Sequence, residues 1–190
     1  MRIWNSLLLA GCLTALAACA SSSETRATAD ACPANCPFAS IADAIAVIGP
    51  TRGTNSHVSG TVRFTQVEGG CHVVADIDGL KPNAKHGFHV HEKGDCSSGD
   101  GMSAGGHFNP EAKPHGPQTA PHHAGDMPNL KADAGGRAKA TFVLEGVTVS
   151  PGATSLVGRG LIVHKDPDDY KTQPTGNAGA RLACAVIRVS

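Results

Sequence analysis

The sequence predicts an all-β sandwich or barrel with one large loop. Three observations carry that prediction. Apolar residues recur at every second position in several short runs. Glycine (23) and proline (12) punctuate the chain, and aromatic residues make up only 4%. That composition suits short strands and many turns better than a helical bundle. The 190 residues suffice for one domain with a sizeable core and are too few for two comfortable ones. Lys+Arg and Asp+Glu both number 16, so the formal charge is zero and no polyanion-binding surface is expected; nucleic acid is excluded as a partner. No apolar run approaches the ~18 residues that would signal a membrane-spanning helix.

Residues 1–18 read as an export signal: Arg2 supplies a positive start and Leu7 to Ala18 is short and apolar. The segment ends in Leu16-Ala17-Ala18-Cys19, which resembles a bacterial lipobox and makes Cys19 a lipid-anchor candidate; the alternative is an ordinary signal peptide with a nearby Ala-x-Ala-like cut. Residues 19–38 read as a tether that carries an extra pair, Cys32 and Cys36. From residue 39 to residue 190 the pattern is that of the folded domain. Ala44–Ile48 is a short apolar run. Val62 and Phe64 alternate with polar residues, as do Val73, Ala75 and Ile77, then Ala138, Ala140, Phe142 and Leu144, then Leu182, Cys184 and Val186. Gly49-Pro50, Gly69-Gly70 and Gly135-Gly136 mark turns between them. The stretch from Lys93 to Lys131 shows no such alternation. A loop of that length in a compact domain signals function, and the order its own packing lacks is expected from bound metal.

The metal expectation comes from side-chain type and spacing. His89 and His91 are one residue apart on a strand-like run, so both rings project from one face while Val90 points to the core. His164 ends a second such run, Leu161 to His164. In the loop, His107, His115 and His123 recur every eight residues and Asp126 follows His123 by three. Three imidazoles and one carboxylate close a tetrahedral zinc site without an open position. His89, His91 and His164 then form a second site short of one ligand, which His107 could supply by placing one ring nitrogen on each metal; imidazole suits copper as well as zinc. Asp168 follows His164 by four and joins the candidate set. His57, His72, His86 and His122 read as surface or packing residues, although spacing alone does not separate His122 from its neighbour His123.

The segments GFHVHEKGDC, GMSAGGHFNP, HHAGD, IVHKDPDDY and TGNAGARLACAVI resemble copper/zinc superoxide dismutase, in particular its bacterial periplasmic branch, with Cys19 pointing to a lipoprotein form. The similarity runs from about Ile45 to Val189. It implies an eight-stranded Greek-key β-barrel. It implies copper on His89, His91, His107 and His164, and zinc on His107, His115, His123 and Asp126, favouring His123 over His122. Asp168 matches the carboxylate that hydrogen-bonds a ligand of each metal. The implied reaction is dismutation of superoxide to O2 and hydrogen peroxide, with His107 also passing a proton, Arg181 drawing the anion into the copper channel and Thr175 forming its other wall. Cys96 and Cys184 match the intrasubunit disulfide. The implied location is the periplasm or cell envelope of a Gram-negative bacterium, with membrane contact only through the N-terminal lipid. Superoxide is the partner expected, and a homodimer is compatible with the family.

Of the seven cysteines, Cys12 goes with the signal, and Cys32, Cys36 and Cys71 remain. Cys32 and Cys36 are each followed by proline, which favours a turn and a local clip between them. A redox or metal-binding thiol pair, or a bridge from one of them to Cys71, are the alternatives; Cys71 otherwise reads as a buried thiol. Two other functional classes fit an exported β domain. A non-catalytic metal-binding relative would lack a copper ligand or the arginine, and an adhesive sandwich would have no reason to keep the ligand set in register.

Overall fold

The computed structural model describes residues 42–190; the proposed signal, Cys19 and the Cys32/Cys36 pair lie outside them. Ten strands occur in chain order: β1 (Asp43–Pro50), β2 (Ser59–Val67), β3 (Gly70–Asp78), β4 (Lys85–His86), β5 (Phe88–His91), β6 (Leu130–Lys131), β7 (Ala138–Glu145), β8 (Gly160–His164), β9 (Arg181–Val186) and β10 (Arg188–Val189). Among these residues no helix is long and apolar enough to cross a membrane.

One curled antiparallel sheet runs β5-β8-β9-β1-β2-β3-β7, with β10 also pairing with β1, and β4 and β6 form a separate pair. The order is not the chain order, because β3 hands over to β4 and β5 at the far edge, the Greek-key manner of closing a barrel. β1 turns the corner: Asp43 to Ile48 pair with β2, while Gly49 and Pro50 pair with Cys184 and Ala183 of β9. β2 and β3 are joined by Glu68-Gly69, with Gly69 at φ 77°, the left-handed conformation a two-residue hairpin turn requires.

Alternation in the sequence matches alternation in burial through the meander. Val62 and Phe64 of β2, and Cys71, Val73, Ala75 and Ile77 of β3, are buried in one core with Phe88, Leu144, Leu161 and Ile187. Each large apolar side chain buried there contributes about 1.5–3 kcal/mol relative to exposure. The other side of the barrel departs from simple alternation. Every residue of β5 and β8 is buried, and in β9 Ala183, Cys184 and Ala185 are buried in succession. The reason is that the long loop covers the outer face: Cys184 packs there with Ala104 and Ile162, against Cys96, while Ala183 and Ala185 face the core.

The loop itself corrects one expectation. It is not left to bound metal for its order. β5 is the sheet's edge strand, and loop backbone caps it: Phe108 donates to Val90 O, Val90 to Gly125 O, Gly125 to Phe108 O and Glu92 to Gly106 O. His91 pairs with His107 and His89 with Asp126 as isolated bridges, so the edge's unpaired groups are satisfied by the loop. A short 3-10 turn (Met102–Ala104) and β6 give further regular structure within it. The Cys96–Cys184 disulfide, with Cα atoms 5.8 Å apart, ties the loop's start to β9. Cys71 is a free, buried thiol, pushed up to about 11 by burial.

Candidate metal centre

The barrel and its covering loop bring seven candidate ligands into two adjoining groups, His89, His91, His107 and His164 in one and His107, His115, His123 and Asp126 in the other. All seven are buried. In each group one potential ligand atom per residue lies within 4.8 Å of all the others, and His107 belongs to both.

Local sequence explains the placement. On β5, Val90 enters the core and sends the flanking rings outward, with their centroids 6.4 Å apart. β8 pairs with β5, and a bulge between Val163 and His164 re-aims the last side chain of the strand. His86 holds that end: its ring Nδ1–H donates to His164 O at 2.8 Å, a packing role rather than a ligand's. Gly87 is needed beside it, since a Cβ there would meet Ala178 Cβ at 2.8 Å and His89 Cε1 at 3.2 Å. The remaining ligands come from the loop, delivered by its clamp on the β5 edge. His122 is turned away, with Nδ1 on Ala120 O at 2.7 Å, whereas His123 joins the cluster. His57 is exposed, and His72 pairs with Thr141 Oγ1 on the outside of the barrel.

The hydrogen bonds select one nitrogen on each ring. His89 donates through Nε2 to Asp168 Oδ2 (2.8 Å), His91 through Nδ1 to Gly105 O (3.0 Å), and His164 through Nδ1 to Gly179 O (3.3 Å). His107 donates through Nδ1 to Asp126 Oδ1 (2.8 Å). Each ring is left with one buried nitrogen that has no partner: His89 Nδ1, His91 Nε2, His107 Nε2 and His164 Nε2. Four unpartnered buried acceptors in one group are costly unless something binds them. In the second group His115 Nδ1 and His123 Nδ1 are also unpartnered. They lie 2.9 Å from Asp126 Oδ2 and 3.4 Å from Asp126 Oδ1 without hydrogen-bond geometry, as donors sharing a cation would. The donor set therefore fits a metal at both positions, with nitrogen alone at one and three nitrogens plus a carboxylate at the other.

Electrostatics favour the same occupancy. Burial, joined by the neighbouring His107 at His91 and His89 at His164, pushes both imidazoles well below their ordinary value. His89 is lowered to about 4, burial outweighing the opposing bond to Asp168. These rings are neutral at physiological pH, the form a metal requires. His115 is the contrast: burial depresses it, but Asp126 and Asp168 on either side take it up to about 9. The pull those carboxylates exert on a proton is the pull they would exert on a cation. Burial alone would raise both acids; the hydrogen bond from His107 and the adjacent His115 imidazole hold Asp126, and hydrogen bonds from His115 and His89 hold Asp168, well below the usual carboxylate range.

Asp168 links the groups, accepting from His89 Nε2 in one and from His115 Nε2 (2.9 Å) in the other. Residues that carried no signal in the sequence fix it. Asn129 Nδ2 donates to Asp168 O (2.9 Å) and Asn129 Oδ1 accepts from its N–H (2.8 Å), while the Tyr170 N–H donates to Asp168 Oδ1 (2.7 Å). Gly176 sits so close that a Cβ would strike that carboxylate. Gln173 bonds both backbone groups of His115 at 2.8 Å.

A cleft of about 450 Å³ opens on the all-imidazole group through His91 and His164, and Thr54, Asp100, Met102, Thr175 and Arg181 help to line it. Arg181 is fixed there by Nη1 on Gly101 O (2.8 Å) and Nη2 on Gly105 O (2.7 Å). It is partly buried, which lowers its ordinarily high value, with Asp100 opposing.

A curled antiparallel half-barrel carrying two abutting imidazole-rich sites, one reached through an arginine-lined cleft, fits an oxidoreductase with two metals. The family profile of copper/zinc superoxide dismutase matches residues 58–187. The chain is similar to an extracellular superoxide dismutase [Cu-Zn] of Drosophila melanogaster (41% identity over 152 residues, 75% of this chain and 82% of the relative). It is also similar to the superoxide dismutase [Cu-Zn] of Schizosaccharomyces pombe (45% over 145 residues, 72% and 93%). Among solved structures it resembles the clock protein EA4 (TM-score 0.70, 41% identity, 78% of this chain and 95% of that one) and a SOD-like protein from Bacillus subtilis (0.67, 33%, 75% and 96%). The chain belongs to the copper/zinc superoxide dismutase family, and it is an oxidoreductase that uses copper and zinc to dismute superoxide.

Proposed function

We propose that copper is held by His89, His91, His107 and His164, that zinc is held by His107, His115, His123 and Asp126, and that His107 bridges the two. The observation that carries this reading is that His89 Nδ1, His91 Nε2, His107 Nε2 and His164 Nε2 are unpartnered and buried in one group, and His115 Nδ1 and His123 Nδ1 are so beside Asp126 in the other, whereas the unpartnered His86 Nε2 belongs to neither; His107, a member of both groups, supports the bridge. Copper supplies the alternating one-electron chemistry by which one superoxide becomes O2 and the next, with two protons, becomes hydrogen peroxide; zinc completes a closed, structural site.

The chain's own residues do the rest. Arg181 presents a fixed cation in a narrow cleft and raises the local concentration of a small anion. Thr175 shapes the opposite wall. His107 can hold a proton at Nε2 in one half-reaction and release it in the next, while its Nδ1, 2.8 Å from Asp126 Oδ1, would exchange that hydrogen bond for the zinc. Asp168 orients His89 and His115 together. The rate of superoxide consumption should follow copper content and disappear when copper alone is removed; a rate indifferent to copper would overturn the assignment.

The domain limits proposed are 1–18 for the signal, 19–38 for the tether and 39–190 for the catalytic domain. The Leu16-Ala17-Ala18-Cys19 motif supports export and lipid attachment at Cys19, which would anchor the enzyme in the periplasm or cell envelope as protection against extracytoplasmic superoxide. Labelling with palmitate, lost in Cys19→Ser, tests this; a soluble product with a free N-terminus near Ala20 would refute it.

A further inference from the structure

The cleft that suits an anion is poorly suited to the cation that has to reach the imidazoles. A metal ion arriving from solvent passes Arg181, whose charge attracts superoxide and repels copper. Something in the cleft has to bind copper by means other than charge alone.

Met102 meets that requirement. Its side chain is 59% exposed and lines the cleft, whereas Met127, the other methionine among the described residues, is 1% exposed in the core. The residue rides on a fixed turn. Its N–H donates to Asp100 Oδ1 at 2.9 Å, and its carbonyl accepts from Gly105 N–H at 3.1 Å. The carbonyls of Gly101 and Gly105 that flank the turn are the two that hold Arg181. Asp100, kept ionised by hydrogen bonds from Met102 N–H and Ser98 with help from Arg181, places a negative charge in the same lining. At the inner end of the cleft stand His91 and His164, 0% and 4% exposed, each with an unpartnered Nε2.

We propose that Met102 is a transit ligand for Cu(I): its thioether receives the soft monovalent ion at the mouth of the cleft and passes it to His91 and His164. A thioether is neutral and polarisable and selects Cu(I) over zinc and over hard divalent cations. Its soft bond to the ion is a gain set against the repulsion from Arg181, and Asp100 offsets part of that repulsion. The inference rests on copper belonging to the all-imidazole group.

The test is anaerobic loading of the copper-free, zinc-replete protein with Cu(I) presented in a coloured competing chelator, followed by stopped flow, for wild type, Met102→Leu and Met102→Gln. Both variants are at an exposed position and keep comparable side-chain length. The expected result is Cu(I) uptake several-fold slower in both variants, to the same final one copper per chain, with the rate of Cu(II) uptake unchanged. X-ray absorption of wild type frozen early in loading should show a sulfur neighbour to copper that is missing in Met102→Leu. Equal Cu(I) rates in all three proteins would overturn the proposal while leaving the copper assignment standing. Equal slowing of Cu(I) and Cu(II) would overturn it too, because the effect would then be one of shape. Failure of wild type to take up copper at all would overturn the copper assignment and the proposal with it.

Discussion

The two metal groups share His107 and are otherwise built from different material. In the all-imidazole group His89, His91 and His164 come from two paired strands, so the barrel sets their positions. In the other group every ligand lies between residues 107 and 126 of a single loop. The first has no carboxylate ligand and opens on a cleft beside Arg181. The second includes Asp126, whose Oδ2 also accepts the N–H groups of Gly116 (3.2 Å) and His123 (3.0 Å), so that the carboxylate organises the loop even before a cation is considered. The difference teaches a division of labour. Rigid strands with neutral, open-sided ligands suit a metal that must change its charge, and a loop closed around a carboxylate suits one that must not.

The sharpest way to break that comparison is at the shared residue. His107→Ala should reduce dismutation to background and lower copper and zinc content together, whereas His91→Ala should abolish activity with zinc retained. Metal analysis of the two purified variants distinguishes them, and loss of one metal only from His107→Ala would show the groups to be independent.

The next largest effect concerns the frame that holds loop to strands. Cys96 and Cys184 are 88 residues apart in sequence. Closing a loop of that size contributes about 4–5 kcal/mol in the chain-entropy account. Cys96→Ser with Cys184→Ser should lower the denaturation midpoint accordingly and also loosen Arg181, whose carbonyl anchors sit in the tethered loop. An unchanged midpoint would mean that the clamp on β5 alone holds the loop.

Asp168→Asn probes the link between the groups. An amide oxygen can accept both ring N–H donors only poorly, and its NH2 has no acceptor there. Losses of outer partners of this kind weaken metal affinity by roughly 10–100-fold. Both metals should be affected, read by chelator competition, because His89 and His115 are bonded to the same carboxylate. An effect on one metal alone would remove Asp168 as the coupling element.

The smallest effect expected is electrostatic. Arg181→Glu should slow the reaction with superoxide by about tenfold at low ionic strength, with copper content unchanged. The deficit should shrink as salt shortens the reach of charge to within ~10 Å. A deficit that salt leaves untouched would place Arg181 in a structural role.

How much of this was legible in the sequence follows from which contacts are local. Val62, Phe64, Val73 and Ile77 were readable as strand interior because alternation is a property of the strand itself. The His89/His91 pair was readable for the same reason. β9 was readable as a strand from Leu182, Cys184 and Val186, but not that Cys184 lies under the loop while Ala183 and Ala185 face the core, since burial on both faces of β5, β8 and β9 depends on a loop folding back from elsewhere. Spacing left His122 and His123 equivalent; the resemblance favoured His123, and the structure separates them through the bond of His122 to Ala120 O. Asn129, Gln173 and the Gly105 carbonyl gave no signal, because their roles depend on threading that brings residues 39 to 76 positions apart into contact. The Lys93–Lys131 loop was recognised as functional, but its own hydrogen bonds to the β5 edge were not, since backbone pairing without alternation leaves no trace in composition.

The central claim is that two metals share one imidazole, and anomalous diffraction at the copper and zinc edges from crystals of the fully loaded, oxidised protein tests it most directly. The account predicts a copper peak among His89 Nδ1, His91 Nε2, His107 Nε2 and His164 Nε2, and a zinc peak among His107 Nδ1, His115 Nδ1, His123 Nδ1 and Asp126. A single occupied position, or two ions of which only one touches His107, would contradict it.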